Sequence, residues 1–512
     1  MRKYLSFGMG IAGVTTILSG FSYLKTGFFA VHDPTHISRV AQLWQALESG
    51  QIPAIWAGEA ASGFGYPLFH FYAPAFYYLV LLFKLISPSY LGALKITVLA
   101  LSFVGTLGMY KLASRFGRGV AALSALAFAF VPYRAVTLYV RGSYAEFMAT
   151  MLLPWIFLTW TNLKGIKKQL VAGVVMSLFV LSHNLIPLIT LPFIIIWILW
   201  KNHKALKNLI LPSMLVIGLT CFYTLPVIFE RNLIHLERQA LATDYALHFV
   251  APSQLWNSTW GFGGSAPGLE DGISFKLGKL QIVLAVLGLL ALLRRPSTRL
   301  LSLFYLGLTM ISIFMMTSYS LFVWDWIKPL QYVQFPWRFM TLATFGLSFL
   351  AGFSSLLFRR RILKVLFLLI SSCLLLIINL KLFTREVHES LSDQDFTSPE
   401  FLASSVAQKV PEYLPVWQSD FPSTRAEQVP SRVIMEEDGE YVVDRAYYPT
   451  WQVEVDGEHV AYYPASDGRL AFDLSSGTHD LALSQEHTAL EFYCSLVSLL
   501  TLIGVGYLYV RA

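Results

Sequence analysis

Long apolar runs alternate with short polar stretches over most of this chain, and one region near its C-terminal end breaks the pattern. A run of about 20 apolar residues can cross the hydrocarbon core of a bilayer as a helix. Twelve runs approach or reach that length, and we predict each of them to cross a membrane. They fall at 4–24, 91–113, 118–133, 146–163, 169–182, 185–200, 208–228, 277–294, 299–318, 337–357, 363–383 and 489–510.

The basic residues predict the orientation of these crossings. Clusters without an acid precede the first crossing and follow every second one, at Arg2/Lys3, Lys111/Arg115/Arg118, Lys164/Lys167/Lys168, Lys201/Lys204/Lys207, Arg294/Arg295/Arg299 and Arg359/Arg360/Arg361/Lys364. Such clusters mark the cytoplasmic side. A further apolar run at 71–88 would place the later clusters outside if it crossed, so we predict a juxtamembrane or re-entrant helix there. Both termini are then cytoplasmic, and the long loops 25–90 and 229–276 are extracytoplasmic.

The region 384–488 has a different pattern, in which apolar and polar residues alternate as in strands. The dipeptides Asp438-Gly439, Asp456-Gly457, Asp467-Gly468 and Ser476-Gly477 are turn signals. This region carries 20 acidic and 6 basic residues, whereas the rest carries 11 acidic and 32 basic residues. We therefore predict three parts: a transmembrane domain at 1–383, an extracytoplasmic β-sandwich at 384–488, and a final transmembrane helix at 489–512.

Composition supports a polytopic α-helical membrane protein, because 55% of the residues are hydrophobic and only 13% are charged. The first run begins MRKYLSFG without a small-residue cleavage site, so we expect a retained helix of the plasma membrane rather than a signal peptide. The three cysteines lie in apolar runs without metal-ligand spacing. We expect no nucleic-acid partner and no certain cofactor.

The first long loop offers a candidate catalytic group, Asp33, between His32 and His36. Pro34 favours the start of a helix, and the following apolar residues recur at helical spacing, which predicts an amphipathic helix on the outer membrane surface. Asp33 either caps this helix or serves as a general base or metal ligand. A zinc site built on the two histidines would need a third ligand that the spacing does not supply. A divalent metal bound by Asp33 stays an open alternative.

Other polar residues are expected at the same outer surface. The segment 63–78 is either an interfacial aromatic belt or a groove lined by Tyr66, His70 and Tyr72. Arginine is usually found on the cytoplasmic side, so arginines predicted on the outer side are unusual. The planar guanidinium has several N–H donors, which can bind a phosphate group. The alternatives are snorkelling arginines, ion pairs and helix caps. The further candidates are Arg134, Arg141, Glu146, His183, Trp337 and Arg338.

The motifs HDPTHISR, GxGYPLFxFYAPxxYY, PYRxxxLYVRGxxAE, SHNL and FPWRF resemble those of bacterial membrane proteins described as 6-pyruvoyl-tetrahydropterin synthase-related. These proteins are similar to GT-C glycosyltransferases, which use polyprenyl-phosphate sugars. The tail YYPTWQVEVDG…SGTHDLAL resembles the β-domain of YfhO membrane proteins, although Thr450 stands where a glycine is common. The clustered histidines of the soluble pterin synthase are not reproduced, so its activity is not expected.

The resemblance implies an inverting glycosyltransferase of cell-envelope polysaccharide biosynthesis. Asp33 matches the acidic residue of the first outer loop and would be the general base, and Glu146 roughly matches the second acidic motif. Arg134, Arg141 and Arg338 would hold the donor phosphate, and a glycan, lipid or polymer would be the acceptor. The alternatives are a polyprenyl-lipid or polysaccharide transporter and a non-catalytic assembly protein that binds through its β-domain.

Overall fold

The computed structural model describes residues 2–238, 244–404 and 410–512, and helices make up most of this part. The helices are α1 (Arg2–Ser19), α2 (His36–Glu48), α3 (Leu68–Phe71), α4 (Ala75–Lys84), α5 (Tyr90–Ser114), α6 (Arg118–Ala129), α7 (Pro132–Ala135), α8 (Tyr144–Thr159), α9 (Ile166–Val180), α10 (Leu185–Asn202), α11 (Ile210–Phe229), α12 (Pro252–Trp256), α13 (Lys279–Leu293), α14 (Arg299–Met316), α15 (Leu321–Trp326), α16 (Met340–Gly352), α17 (Arg361–Asn379), α18 (Asp393–Thr397), α19 (Pro399–Leu402) and α20 (Ala489–Arg511).

Each of the twelve predicted crossings contains a helix, but the helices differ in length. Within the described residues, seven segments are long and apolar enough to span a bilayer. They are Tyr90–Ser114, Leu185–Asn202, Leu206–Phe229, Arg299–Met316, Pro336–Leu357, Arg361–Leu382 and Ala489–Arg511. An eighth span results if Arg118–Ala129 and Pro132–Arg141, bent by 44°, count as one. The number twelve therefore stays a prediction.

Helix α16 lies at the centre of the membrane part, and all of its residues are buried. Small residues allow its neighbours to approach closely, as is common between membrane helices. A Cβ atom at Gly288 of α13 would collide with the carbonyl oxygen of Leu350, and one at Gly352 would collide with Ser124 of α6. The resulting packing leaves the loops at one end of the bundle to form the cavity described below.

The segment 71–88 forms the end of α3 and the 10-residue helix α4, which is too short to span a bilayer alone. Helix α2 differs from its prediction in where it begins and in how exposed it is. It begins at His36 rather than at Pro34, and it does not lie on a surface, because Ser38, Arg39 and Gln42 of its polar face are buried. Helices α4, α5 and α18 contact it, and α18 comes from the region after residue 384.

The C-terminal region contains small antiparallel sheets, whereas the two-layer sandwich itself stays a prediction. Strands β3 (Arg432–Met435), β9 (Gly477–Gln485), β5 (Trp451–Val455) and β6 (Glu458–His459) form one sheet in that order. Strands β4 (Gly439–Ala446), β8 (Arg469–Leu474) and β7 (Tyr463–Pro464) form another, and β1 (Phe28–Phe29) pairs with β2 (His388–Glu389). Asp456 and Gly457 have φ of 52° and 82°, as a tight hairpin turn requires.

Candidate functional site

Asp33 is held by the backbone of a distant segment. The N–H groups of His32 and Asp33 donate to the carbonyl oxygens of Val140 and Arg141 at 2.9 and 3.0 Å. The chain can turn directly afterwards because Gly142 has a left-handed conformation, with φ of 65°. The two segments that carry the predicted catalytic and phosphate-binding groups therefore lie side by side.

The Asp33 carboxylate is surrounded by partners. One oxygen accepts from the Thr35 hydroxyl at 2.5 Å, and the other lies 3.3 Å from His36 Nε2 and 3.7 Å from Arg39 Nη1. Burial raises the pKa of Asp33, but the charges of His36 and Arg39 outweigh that effect and hold it well below its usual value. Asp33 therefore stays ionised and fixes Arg39, whose guanidinium lies over the Tyr72 ring.

Glu146 is wholly buried behind Arg141 and does not face open space. Its oxygens accept from Arg141 Nη1 at 2.8 Å and from the Tyr133 hydroxyl at 2.5 Å. The Arg141 guanidinium also lies 4.5 Å from the centre of the Trp337 ring. Glu146 is therefore fully engaged with Arg141 and Tyr133, and the catalytic role that the sequence predicted for it stays a prediction.

His183 is fixed in its neutral form at the start of α10. Its Nδ1 accepts from the backbone N–H groups of Leu185 and Ile186 at 3.0 and 3.2 Å. Burial lowers the pKa of His183 to about 3, and the charges of Arg338 and Arg141 contribute to that shift. Since Nδ1 is an acceptor, the ring proton is on Nε2, which makes His183 a donor to a ligand.

Asp33, Arg39, Arg141 and His183 line a cavity of about 600 Å³. Each of the five sequence motifs quoted above supplies at least one lining residue, so stretches far apart in the chain meet there. The predicted residues that line the cavity are His32, Asp33, Tyr72, Arg141, His183, Trp337 and Arg338. Sequence reasoning missed Arg39, His248 and Glu412, which also line it. Arg39 belongs to the quoted motif HDPTHISR, whereas nothing in the local sequence singled out Glu412.

Arg338 is the cation of this cavity that lacks a carboxylate partner. Its Nη1 donates to the Val333 carbonyl oxygen at 2.6 Å, and its Nε is buried without a hydrogen-bond partner. In the described part of the chain, no carboxylate lies within 4.0 Å of it. By contrast, Arg39 pairs with Asp33 and Arg141 pairs with Glu146. Arg338 therefore has N–H donors that a ligand in the cavity could use.

The other predicted residues lie outside the cavity lining. His36 is buried between Asp33 and Tyr77, and Tyr66 packs against Phe421. Arg134 donates to the Thr106 hydroxyl, so it does not join the other arginines. His70 bonds Glu230 and Glu491, at 2.9 and 2.5 Å. Among the described residues, these last three form the group with metal-ligand spacing, but each ring nitrogen of His70 already faces a carboxylate.

Comparison with known sequences agrees with the expected family. The pattern described as 6-pyruvoyl-tetrahydropterin synthase related domain, a membrane protein, matches residues 69–384. An uncharacterized protein of Lactococcus lactis subsp. cremoris (strain MG1363) is 25% identical over 236 residues, which cover 42% of this chain and 38% of the relative. The matched family segment supplies Arg141, His183 and Arg338, whereas Asp33 and Glu412 lie outside it.

Proposed function

The chain belongs to the 6-pyruvoyl-tetrahydropterin synthase related family of membrane proteins, and we propose that it transfers a sugar from a polyprenyl-phosphate donor to an extracytoplasmic acceptor. The cavity supports this proposal because its lining residues come from loops and from the ends of apolar helices. A lipid-linked donor could enter from the bilayer while its sugar reaches the loops. The acceptor would be a glycan, lipid or polymer of the cell envelope.

The observation that carries the proposal is the Arg338 guanidinium, buried at Nε and without a carboxylate partner in the described structure. Arginine binds phosphate oxygens through its planar fork of N–H donors. Arg141 adds a second cation, and the Nε2–H group of His183 adds a neutral donor. When the bond between the sugar and the phosphate breaks, these groups stabilise the negative charge on the departing polyprenyl phosphate.

The test compares a strain that lacks the protein with strains that carry the wild type, Arg338→Gln or Arg231→Gln at equal membrane abundance. Arg231 is an exposed arginine outside the cavity, so its variant is the matched control. Surface glycans and lipid-linked sugars are measured by mass spectrometry. We expect Arg338→Gln to reduce one glycan modification about 100-fold while its lipid-linked donor accumulates. If glycans and lipid-linked sugars match in all four strains, the proposal is wrong.

A further inference from the structure

The cavity contains a second carboxylate, Glu412, which comes from the region after the predicted membrane domain. It lies in a short 3₁₀ turn, Pro411–Tyr413, and only 9% of its surface is exposed. In the described structure, Glu412 makes no ion pair and no hydrogen bond to another residue. Its carboxylate therefore lines the cavity without a protein partner, and an acid in such a place is a candidate to meet a ligand or to take part in chemistry.

Its neighbours hold Glu412 firmly at the cavity. The Tyr413 ring stacks on Phe71 at 6.1 Å between centroids, and its hydroxyl accepts from Asn184 Nδ2 at 3.4 Å. The backbone N–H of His235 donates to the Leu414 carbonyl oxygen at 3.1 Å. Contacts with Phe71, Asn184 and His235 therefore fix this turn, as a group that handles a proton requires.

Asp33 and Glu412 differ in basicity for a structural reason. Asp33 is held by Thr35, His36 and Arg39, which stabilise its ionised form. Burial raises the pKa of Glu412 above its usual value, and the charges of Arg39 and Arg338 offset only part of that rise. The other titratable groups that face the cavity or interact with Glu412 are His32, Tyr66, Tyr72, His183, His248 and Tyr413.

We infer that Glu412 is the general base that accepts the proton of the acceptor hydroxyl, and that Asp33 is a positioning residue that holds Arg39 and His36. This inference rests on the proposed sugar transfer and revises the role that the sequence predicted for Asp33. The acceptor oxygen forms a bond to the anomeric carbon of the sugar as the bond from that carbon to the phosphate oxygen breaks. The bonding electrons leave with the polyprenyl phosphate, and the acceptor proton moves to Glu412 and then to solvent.

The experiment uses membrane vesicles from the strain that lacks the protein, complemented with the wild type, Glu412→Gln, Glu412→Asp, Asp33→Asn or Glu400→Gln. Glu400 is an exposed acid outside the cavity and provides the matched control. Release of polyprenyl phosphate from the native donor is followed by mass spectrometry from mildly acidic to mildly alkaline pH. Binding of undecaprenyl phosphate to each purified variant is measured separately, because it reports folding and phosphate recognition without chemistry.

We expect Glu412→Gln to slow release about 100-fold or more, which is the usual contribution of a general base. The wild-type rate should rise with pH as Glu412 ionises, and this rise should disappear in Glu412→Gln but persist in Asp33→Asn. Glu412→Asp should recover part of the rate, and Glu412→Gln should bind undecaprenyl phosphate at least as tightly as the wild type, since a negative charge is removed.

Two contrary results have different meanings. If Glu412→Gln keeps the wild-type rate and pH profile, or if it loses undecaprenyl phosphate binding together with release, the assignment of Glu412 is overturned while sugar transfer stands. If wild-type vesicles release no more polyprenyl phosphate than vesicles without the protein, the proposed transfer itself is wrong and the assignment falls with it.

Discussion

The cavity around Arg338 and the cluster of His70, Glu230 and Glu491 contain similar side chains, but they differ in space and in partners. The cavity measures about 600 Å³, whereas the void beside His70 and Glu491 measures about 20 Å³. In the cluster, His70 contacts a carboxylate with each ring nitrogen, and Thr488 donates to both carboxylates at 2.9 and 2.6 Å. In the cavity, Arg338 and Glu412 lack such partners in the described structure.

This difference separates a structural cluster from a candidate site. The His70 cluster joins α3, the end of α11 and the start of α20, and its histidine lies against both carboxylates. Such an arrangement stabilises a fold and leaves no room for a substrate. Residue type alone therefore does not identify a site, because histidine and glutamate occur in both places. Unmatched charge beside open space is the feature that points to a ligand.

The largest effect is expected when the cluster is broken. His70→Asn leaves Glu230 and Glu491 without a shared cation, and breaking a buried ion pair costs about 3 to 5 kcal/mol. The free energy of unfolding is measured on the purified protein in detergent. His459→Asn is the control, because His459 faces Glu454 at 3.7 Å with 65% of its side chain exposed. Equal stability of the two variants would show that the cluster is not structural.

A somewhat smaller effect is expected from pH. Burial lowers the pKa of His70, but hydrogen bonds to Glu230 and Glu491 outweigh this and raise it to about 9. Because the pKa in the folded state is raised, the stabilisation is complete below the ordinary histidine pKa of about 6.5 and is lost as the pH rises through about 9. The difference corresponds to about 3 kcal/mol.

The free energy of unfolding is measured against pH for the wild type and His70→Asn. The gap between them should be widest in mildly acidic buffer and should narrow above pH 9. A gap that does not change with pH would mean that the charge of His70 does not hold the cluster together.

The sequence predicted the helical framework well because each apolar run is a local signal that tertiary contacts need not alter. It also predicted seven residues that line the cavity, since arginine, histidine and aromatic residues near helix ends are conspicuous. Glu412 could not be predicted, because it lies in an acidic region where a further glutamate carries no information. In the described part of the chain, contacts of Tyr413 and Leu414 hold this residue at the cavity.

The failures of the sequence analysis have a related cause. Arg134 and Arg141 are only seven positions apart, but the segment Val136–Arg141 forms a π-helix between them. Arg134 therefore donates to Thr106 within the bundle while Arg141 reaches the cavity. Similarly, the local sequence predicted α2 on the membrane surface. The helix α18, which is distant in the sequence, contacts α2, and a local pattern does not show this contact. Both errors concern contacts between distant parts of the chain, which local patterns do not encode.

Glu146 offers a test of intermediate size, because it is a satisfied carboxylate directly behind the cavity. Glu146→Gln removes the charge and keeps one acceptor oxygen where the carboxylate offers one to Arg141 and another to Tyr133, which costs about 2 kcal/mol of unfolding free energy. Since Glu146 holds Arg141 in place, binding of undecaprenyl phosphate to the purified variant should also weaken. A variant with unchanged stability and phosphate binding would contradict this positioning role.

The smallest effect on stability is expected when a glycine with positive φ is changed to alanine. Gly142 lies beside the cavity and Gly457 lies away from it, so the two can be compared. Gly142 has φ of 65°, and an added Cβ would lie 2.7 Å from Val31 Cγ2 and 3.3 Å from the Asp33 carbonyl oxygen. Gly457 has φ of 82° with nothing within 4 Å of an added Cβ. Each change to alanine places a side chain in the left-handed region, which costs about 1 to 2 kcal/mol.

Gly142→Ala should therefore lose more unfolding free energy than Gly457→Ala, because its Cβ also meets Val31, and only Gly142→Ala should weaken undecaprenyl phosphate binding. Its Cβ forces apart the segments that place Asp33 beside Arg141, whereas Gly457 lies in a hairpin of the C-terminal sheet region. If both variants bind equally well, the pairing of these segments does not set the geometry of the cavity. The phosphate affinity would then depend on Arg338 and its own neighbours alone.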